Sequence, residues 1–110
     1  MPDQAQSEKP TSSTAAEIRV AIPRALRPFL ASSDASQPEL TLRARDVREL
    51  LAELAQKHPQ VHVRICDEQG EPRRHINVFV NEDHVRMLDG LDTHLTKGDL
   101  VTILPAVSGG

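Results

Sequence analysis

The sequence is poor in aromatic residues, with two Phe and no Trp or Tyr. Proteins that bind single-stranded nucleic acid use stacking rings, and nucleic-acid-binding domains in general present a basic face. The formal net charge of −3 provides no general attraction for phosphates. We therefore expect no nucleic-acid partner, although local arginine clusters remain as docking points.

Cysteine is almost absent, since Cys66 is the single one in the sequence. One cysteine excludes an internal disulfide and cannot supply a multi-cysteine zinc cluster, so the chain suits a reducing compartment. Of the five histidines, only His58 and His62 have a helical spacing, and Pro59 breaks the helix between them. We expect no metal and no bound cofactor, and we interpret Cys66 as a buried structural residue.

Long apolar runs are also missing. No stretch approaches the roughly 20 residues that cross a membrane, and the N-terminal region has neither the basic start nor the apolar block of a secretory signal. Residues 1–16 combine Gln, Ser, Thr, Pro and charges, which predicts a disordered N-terminal tail. We expect a cytoplasmic protein without membrane contact, with a folded domain over 17–105 and a flexible tail over 106–110.

Alternating apolar residues predict short strands at several places along the chain. These are Ile18–Val20–Ile22, Leu40–Leu42, Val61–Val63–Ile65, Ile76–Val78–Val80 and the run Leu100 to Leu104. Turn formers separate them at Asp67 to Gly70, Asn81 to Asp83 and Lys97 to Asp99. Asp89, Asp92 and Asp99 are read as turn formers rather than as paired catalytic carboxylates. The stretch from Pro23 to Pro38 is a long connection that packs down through Leu26, Phe29 and Leu30.

A helix is predicted over residues 46–58. Its apolar stripe consists of Val47, Leu50, Leu51, Leu54 and Ala55. Asp46 can cap the first turn, Glu49 has the position of a capping-box carboxylate, and Pro59 ends the helix. Two strands, this helix and two or three more strands predict an α+β roll of the β-grasp kind, with one main helix on a mixed sheet of four to five strands.

The last seven residues, Leu104 to Gly110, combine small and flexible side chains. Gly109 and Gly110 have no Cβ, so the tail can lie extended in a narrow cleft of another protein. The Gly110 carboxylate, with a pKa of about 3.5, is ionised and needs activation, for example as an acyl-adenylate made with ATP. The other interpretation is a frayed end or a cloning scar. Ser108 is read as keeping the tail small and soluble, because no base is identified for it.

A set of motifs in the second half of the chain resembles the ubiquitin-like sulfur-carrier family, which includes the small subunit of molybdopterin synthase and the thiamine carrier. The motifs are Asn77–Val78–Phe79–Val80–Asn81–Glu82, Arg86, Gly90–Leu91–Asp92–Thr93, Gly98–Asp99 and Val101–Thr102–Ile103–Leu104–Pro105, followed by Gly109–Gly110. The resemblance extends from about Glu17 to Gly110. It implies a β-grasp fold and a terminal Gly110 that is adenylated by an E1-like activating enzyme and receives sulfur as a thiocarboxylate.

The resemblance also implies partners. A sulfurtransferase or persulfide donor would supply the sulfur, and the activating enzyme, not this chain, would use the ATP. The segments 71–76 and 103–107 are most similar to carriers that feed a cysteine synthase, which implies a pyridoxal-phosphate cysteine synthase and a peptidase as acceptors. The alternatives are a molybdopterin-synthase small subunit, a ubiquitin-like modifier of lysines, or an interaction domain with an inert tail. We expect no enzymatic activity of its own, since nothing in the sequence assembles a nucleophile, a base and an oxyanion site.

Phe79 is the candidate docking residue of the folded domain. The alternation that buries Ile76, Val78 and Val80 sends Phe79 to the opposite face of its strand. With Leu104, Pro105, Ser108 and Gly109 it forms the predicted partner-binding set. The alternative is that the long connection, or Leu26 and Phe29 within it, covers the ring.

Overall fold

The periodicities of the sequence become helices and strands in residues 15–30 and 39–106, the part of the chain that the computed structural model describes. The strands are β1 Ala16–Ala21, β2 Glu39–Ala44, β3 Ile76–Val80, β4 Asp83–His84 and β5 Leu100–Pro105. The α-helices are α1 Val47–Lys57 and α2 Pro59–Ile65, and 3₁₀ turns span Arg24–Phe29, Val85–Met87 and Gly90–Asp92. The predictions for residues 1–14, for the loop 31–38 and for Ser108, Gly109 and Gly110 lie outside the described residues.

The strands form one mixed sheet in the order β2-β1-β5-β3-β4. β5 is the last strand in sequence but lies inside the sheet, where it is parallel to β1 and antiparallel to β3. The outer pairs, β1 with β2 and β3 with β4, are antiparallel. The predicted mixed sheet of the β-grasp kind is confirmed, with five strands in the described part of the chain.

The N-terminus of α1 is fixed by two acidic side chains. Asp46 Oδ1 accepts the backbone N–H of Glu49 at 2.8 Å, as the cap prediction requires. Glu49 reaches back one residue further than expected, and its Oε1 accepts the backbone N–H of Arg45 at 2.7 Å. The Arg45 guanidinium also binds this carboxylate, with Nη2 2.9 Å from Oε2. These hydrogen bonds hold the pKa of Glu49 below its ordinary value, the Arg45 side chain having the largest effect.

The core lies between α1 and one face of the sheet, which we call the inner face. The helix stripe that the sequence predicts is buried at Val47, Leu50, Leu51 and Leu54. It meets alternate residues of the strands, which are Ile18, Val20, Leu40, Leu42, Ala44, Ile76, Val78, Val80, Val101 and Ile103. Burying each Leu, Ile or Val contributes about 1.5–3 kcal/mol relative to exposure, so this layer is the main source of stability.

The predicted strand Val61–Val63–Ile65 is wrong, because these residues belong to α2. Val61 and Ile65 are four residues apart and share one buried helical face, while Val63 is 52% exposed. Pro59 ends α1 but is also a favourable first residue for the next helix, since its missing N–H is not needed there. The fifth strand is instead β4, a two-residue strand that the alternation did not predict.

The predicted turns are present, with two differences in detail. Asp99 acts as a turn former: its Oδ2 accepts the N–H of Thr96 at 2.9 Å, and Gly98 takes φ +92°, where a side chain would be strained. The carboxylate of Asp92 instead pairs with Arg48, with Nη2 3.1 Å from Oδ1. Asp89 precedes the Gly90–Asp92 turn without capping it through its side chain. Over the described ranges, no helix is long and apolar enough to cross a membrane.

Candidate functional site

The face of the sheet opposite α1, which we call the outer face, carries the residues that the sequence analysis selected for docking. Phe79 on β3 lies directly opposite Thr102 on β5 and His84 on β4. Leu104 lies opposite Asn77, two residue pairs further along the same two strands. Since opposed residues point to the same side of a sheet, Phe79 and Leu104 share the outer face as diagonal neighbours.

Phe79 is held by an imidazole. Its ring meets that of His84 edge to face, with centroids 5.1 Å apart and an angle of 72° between the planes. His84 is fixed on both nitrogens: Nδ1 accepts the backbone N–H of Arg86 at 3.0 Å, and Nε2 lies 3.1 Å from Asn77 Oδ1. A nitrogen that accepts a backbone N–H carries no proton, so Nε2 is the donor to Asn77. The half-buried aromatic ring is thus preorganised on the outer face.

Leu26 and Phe29 do not cover Phe79, because both contact other parts of the molecule. Leu26 packs against the core, and the Arg64 guanidinium lies 3.6 Å above the centre of the Phe29 ring. Arg64 belongs to α2, so Phe29 lies on the helical side of the molecule. The ring neighbour of Phe79 is His84.

The C-terminal end of β5 places the base of the tail beside this face. Leu104 is 45% exposed, and Pro105 pairs with Ile76 at the end of the ladder. The pairing extends one residue further, because the N–H of Ala106 donates to the carbonyl of His75 at 2.6 Å. Successive residues of a strand point to opposite faces, so Pro105 does not share the outer face with Leu104. The structure therefore brings Phe79 and Leu104 together, and Pro105 begins the exit from the sheet.

The cysteine is buried in the core, as predicted. Cys66 is 1% exposed, and burial, together with the nearby negative charge of Asp67, raises the pKa of its thiol to about 11. The nucleophilic thiolate is therefore scarce at neutral pH. Burial also lowers the pKa of His62, which lies one turn after the buried His58. Within residues 15–30 and 39–106, no group of three or more His, Cys, Asp or Glu side chains is placed to hold a metal ion.

The sequence analysis did not select His84 or Asn77 for this site. The two-residue connection Asn81–Glu82 sets the register of β3 with β4, and this register brings His84 opposite Phe79. Asn81 takes φ +56°, a conformation that Asn adopts more readily than most residues and that is common in tight hairpins. The feature of the sequence that could have predicted the position of His84 is therefore this turn, because a tight turn pairs the strand that follows it with β3.

Comparison with known proteins identifies the family. Residues 20–110 match the ThiS family. The chain is 33% identical to the sulfur carrier protein CysO of Mycobacterium tuberculosis over 95 residues, which cover 84% of this chain and 98% of that protein. Both matches cover most of the chain, and the chain belongs to the ThiS family.

Solved structures are similar in fold. A chain of the Amycolatopsis orientalis BexX/CysO complex matches with a TM-score of 0.72 at 32% identity, over 84% of this chain and 99% of that one. The small archaeal modifier protein 1 of Methanosarcina acetivorans matches with a TM-score of 0.70 at 35% identity, over 87% and 98%. The fold is the ubiquitin-like β-grasp.

Proposed function

We propose that this protein is a sulfur carrier whose Gly110 carboxylate is activated and loaded with sulfur by partner enzymes. The carboxylate attacks the α-phosphate of ATP on an activating enzyme, and pyrophosphate leaves. A persulfide sulfur then attacks the acyl carbon of the adenylate, and AMP leaves. A second thiol reduces the resulting acyl disulfide and releases the thiocarboxylate.

The observation that carries the proposal is the anchoring of β5. This strand is bonded to β1 and β3 and stays paired up to Ala106, so the residues that follow start from a rigid base. The start of the tail therefore has a fixed position relative to any partner that binds the folded domain. The family match, which extends to residue 110, and the relatives named as sulfur carriers support the same assignment.

The outer face is the docking surface in this proposal. Phe79 and Leu104 present apolar area on the same face of the sheet, close to the base of the tail. Aromatic residues surrounded by polar ones are typical centres of protein interfaces. We assign Phe79, Leu104 and Pro105 to contact with the activating enzyme, and Ser108 and Gly109 to passage through its active-site cleft.

For the acceptor we propose a pyridoxal-phosphate cysteine synthase. The thiocarboxylate sulfur would form a bond to Cβ of an activated serine, whose activating group leaves as the Cβ–O bond breaks. The resulting thioester rearranges to an amide when the amino group attacks the acyl carbon and the cysteine thiolate leaves, which links Gly110 to cysteine. A peptidase would hydrolyse that amide and regenerate the terminus. The similarity to proteins named CysO supports this acceptor over others.

A second function, attachment to proteins, is favoured by the similarity to the archaeal modifier protein. Both functions start from the same adenylate. A modifier would form amide bonds to lysine side chains of many targets, and a carrier would release sulfur into a small molecule. The two therefore differ in the products that accumulate in the cell.

Intact-mass measurement on protein purified from its own host tests the proposal. A sulfur carrier gives a species in which one oxygen of the terminal carboxylate is replaced by sulfur. Incubating that species with the host cysteine synthase and an activated serine should give a protein one cysteine residue heavier than the carboxylate form, because the sulfur of that cysteine is the one already on Gly110. An unmodified carboxylate under all growth conditions contradicts the carrier function, and a ladder of protein conjugates supports the modifier function instead.

A further inference from the structure

A cleft of about 250 Å³ opens at the β4 end of the sheet, between β3 and the two 3₁₀ turns that follow β4. Its floor is apolar and is formed by Ile76, Val78, Val85 and Leu91. Its rim carries three guanidinium groups, from Arg73, Arg74 and Arg86. We call this site the arginine cleft. Ile76 and Val78 belong to the inner face, so the floor of the cleft does not share a face with Leu104.

Among the residues that the structure describes, the rim has an excess of positive charge. The one carboxylate in the lining, that of Glu71, is 3.9 Å from Arg48 Nη1 and so is shared with a cation outside the cleft. Arg73 donates to the carbonyl of Val63, with Nη2 at 3.0 Å, which fixes its side chain without neutralising it. In the described part of the chain, the guanidinium groups of Arg74 and Arg86 have no carboxylate partner. This local charge is opposite in sign to the net charge of −3.

The surroundings of the rim indicate a protein ligand. Met87 and Leu88 follow Arg86 directly, and they are 80% and 40% exposed. Exposed apolar side chains beside arginines are typical of protein interfaces. A nucleic acid would need aromatic platforms for its bases, and none of the lining residues is Phe, Tyr or Trp.

We propose that the arginine cleft binds an acidic segment of a protein partner. One apolar side chain of that segment lies on the floor, and flanking carboxylates bind the guanidinium groups of Arg74 and Arg86, a geometry that suits arginine. The inference goes beyond the proposed function, because the described lining of the cleft includes neither Phe79 nor Leu104. The arginine cleft would be a second binding surface beside the outer face, and a partner could bind it without binding the tail.

Fluorescence anisotropy with a labelled peptide, one Leu flanked by Glu residues, tests the inference on the full chain. The peptide should bind saturably and more weakly as salt rises. Arg74→Glu and Arg86→Glu should each weaken binding by roughly ten-fold or more, and Arg86→Lys should keep part of the affinity. Arg24→Glu is the matched control, because this substitution makes the same change of charge. Arg24 is exposed and is not among the residues that line the cleft.

Nuclear magnetic resonance locates the binding site. Peptide-induced shifts should concentrate on the amides of Val78, Val85 and Leu91, and deletion of Gly110 should leave them unchanged. Equal binding of a peptide with Gln in place of Glu would overturn the inference, as would equal losses for Arg24→Glu and Arg74→Glu. Shifts confined to the outer face, tighter binding of single-stranded RNA, or no saturable binding would also overturn it. Thermal unfolding of each variant shows that the fold is retained.

Discussion

The ring of Phe79 lies edge to face against the imidazole of His84, and the same imidazole accepts the backbone N–H of Arg86. One side chain of a two-residue strand thus joins the outer face to the rim of the arginine cleft. Because His84 is bonded at both nitrogens, it positions Phe79 more firmly than a contact with a mobile side chain would. The first prediction concerns this ring.

Phe79→Ala should weaken binding to the activating enzyme by about 2 kcal/mol or more, as is typical for truncation of a central interface aromatic. The loss of folding stability should be smaller, about 1 kcal/mol, because the ring is only half-buried and the cost of full burial does not apply. Calorimetry of binding and thermal unfolding measure both quantities. Val63→Ala, which truncates an exposed side chain on α2, is the control and should leave affinity unchanged. A fall in stability without a fall in affinity would assign Phe79 to the core.

Deletion of Gly110 should abolish adenylation and thiocarboxylate formation and leave the midpoint of thermal unfolding unchanged. The reacting carboxylate is lost, while the pairing of β5 ends at Ala106, several residues earlier. Intact mass after incubation with the activating enzyme, ATP and a persulfide donor measures the loading. Val63→Ala, at an exposed position on α2, keeps the tail and the terminus, and it should load normally. Sulfur loading of the truncated protein would refute the assigned role of Gly110.

Cys66→Ser should still form the thiocarboxylate, because the proposed function places the sulfur on the terminus and not on this side chain. The buried thiol, with a pKa of about 11, should also resist alkylation at neutral pH in the folded protein and react on unfolding. The serine hydroxyl in this apolar position should reduce stability by about 1–3 kcal/mol. Cys66→Ala removes the thiol without adding a hydroxyl, so it distinguishes an effect of the lost thiol from an effect of the buried polar group. Loss of loading in a folded Cys66→Ala protein would bring Cys66 into the mechanism.

Glu49→Gln should destabilise the protein by about 1 kcal/mol at neutral pH, the usual value of a capping interaction. The hydrogen bonds from Arg45 lower the pKa of Glu49 in the folded state. The carboxylate therefore contributes stability above its unfolded pKa of about 4.3, and this contribution is lost as pH falls through the lower folded pKa. Urea unfolding from pH 7 down to about pH 3 should show the two proteins converging at the acid end. Glu53→Gln, which removes a longer ion pair of 3.6 Å with Lys57 Nζ, should show a smaller difference at every pH. If the free energies of unfolding of Glu49→Gln and the parent protein differed by the same amount at every pH, the ionisation of Glu49 would not be linked to stability.

Sequence patterns predicted the parts of this fold in which one period is unambiguous. The stripe from Val47 to Leu54 matches a helix and no strand, and the alternation from Ile76 to Val80 places Phe79 on the outer face. The pattern of Val61, Val63 and Ile65 fits both periods, since residues two apart alternate and residues four apart share a helical face. Pro59 decided between them by starting α2.

For the candidate site, the sequence predicts features that lie within one strand but not contacts between distant segments. A face can be read from one strand, so the positions of Phe79 and Leu104 on the outer face could be predicted. His84 and the arginine cleft depend on contacts between segments far apart in sequence, such as 71–74 with 84–91. Charge and alternation within one segment contain no information about such contacts, and only the register of β3 with β4 and the path of the 3₁₀ turns create them.

The position of β5 has a mechanical consequence. A partner that draws the tail into its active site pulls along the axis of this strand. β5 is bonded to β1 on one side and to β3 on the other, so such a force loads both ladders in shear and their hydrogen bonds must give way together. An edge strand such as β2 is held by one ladder only, so fewer hydrogen bonds would resist the same force. In the proposed function, traction on the tail would therefore move the domain as a rigid body towards the partner and leave β5 in the sheet.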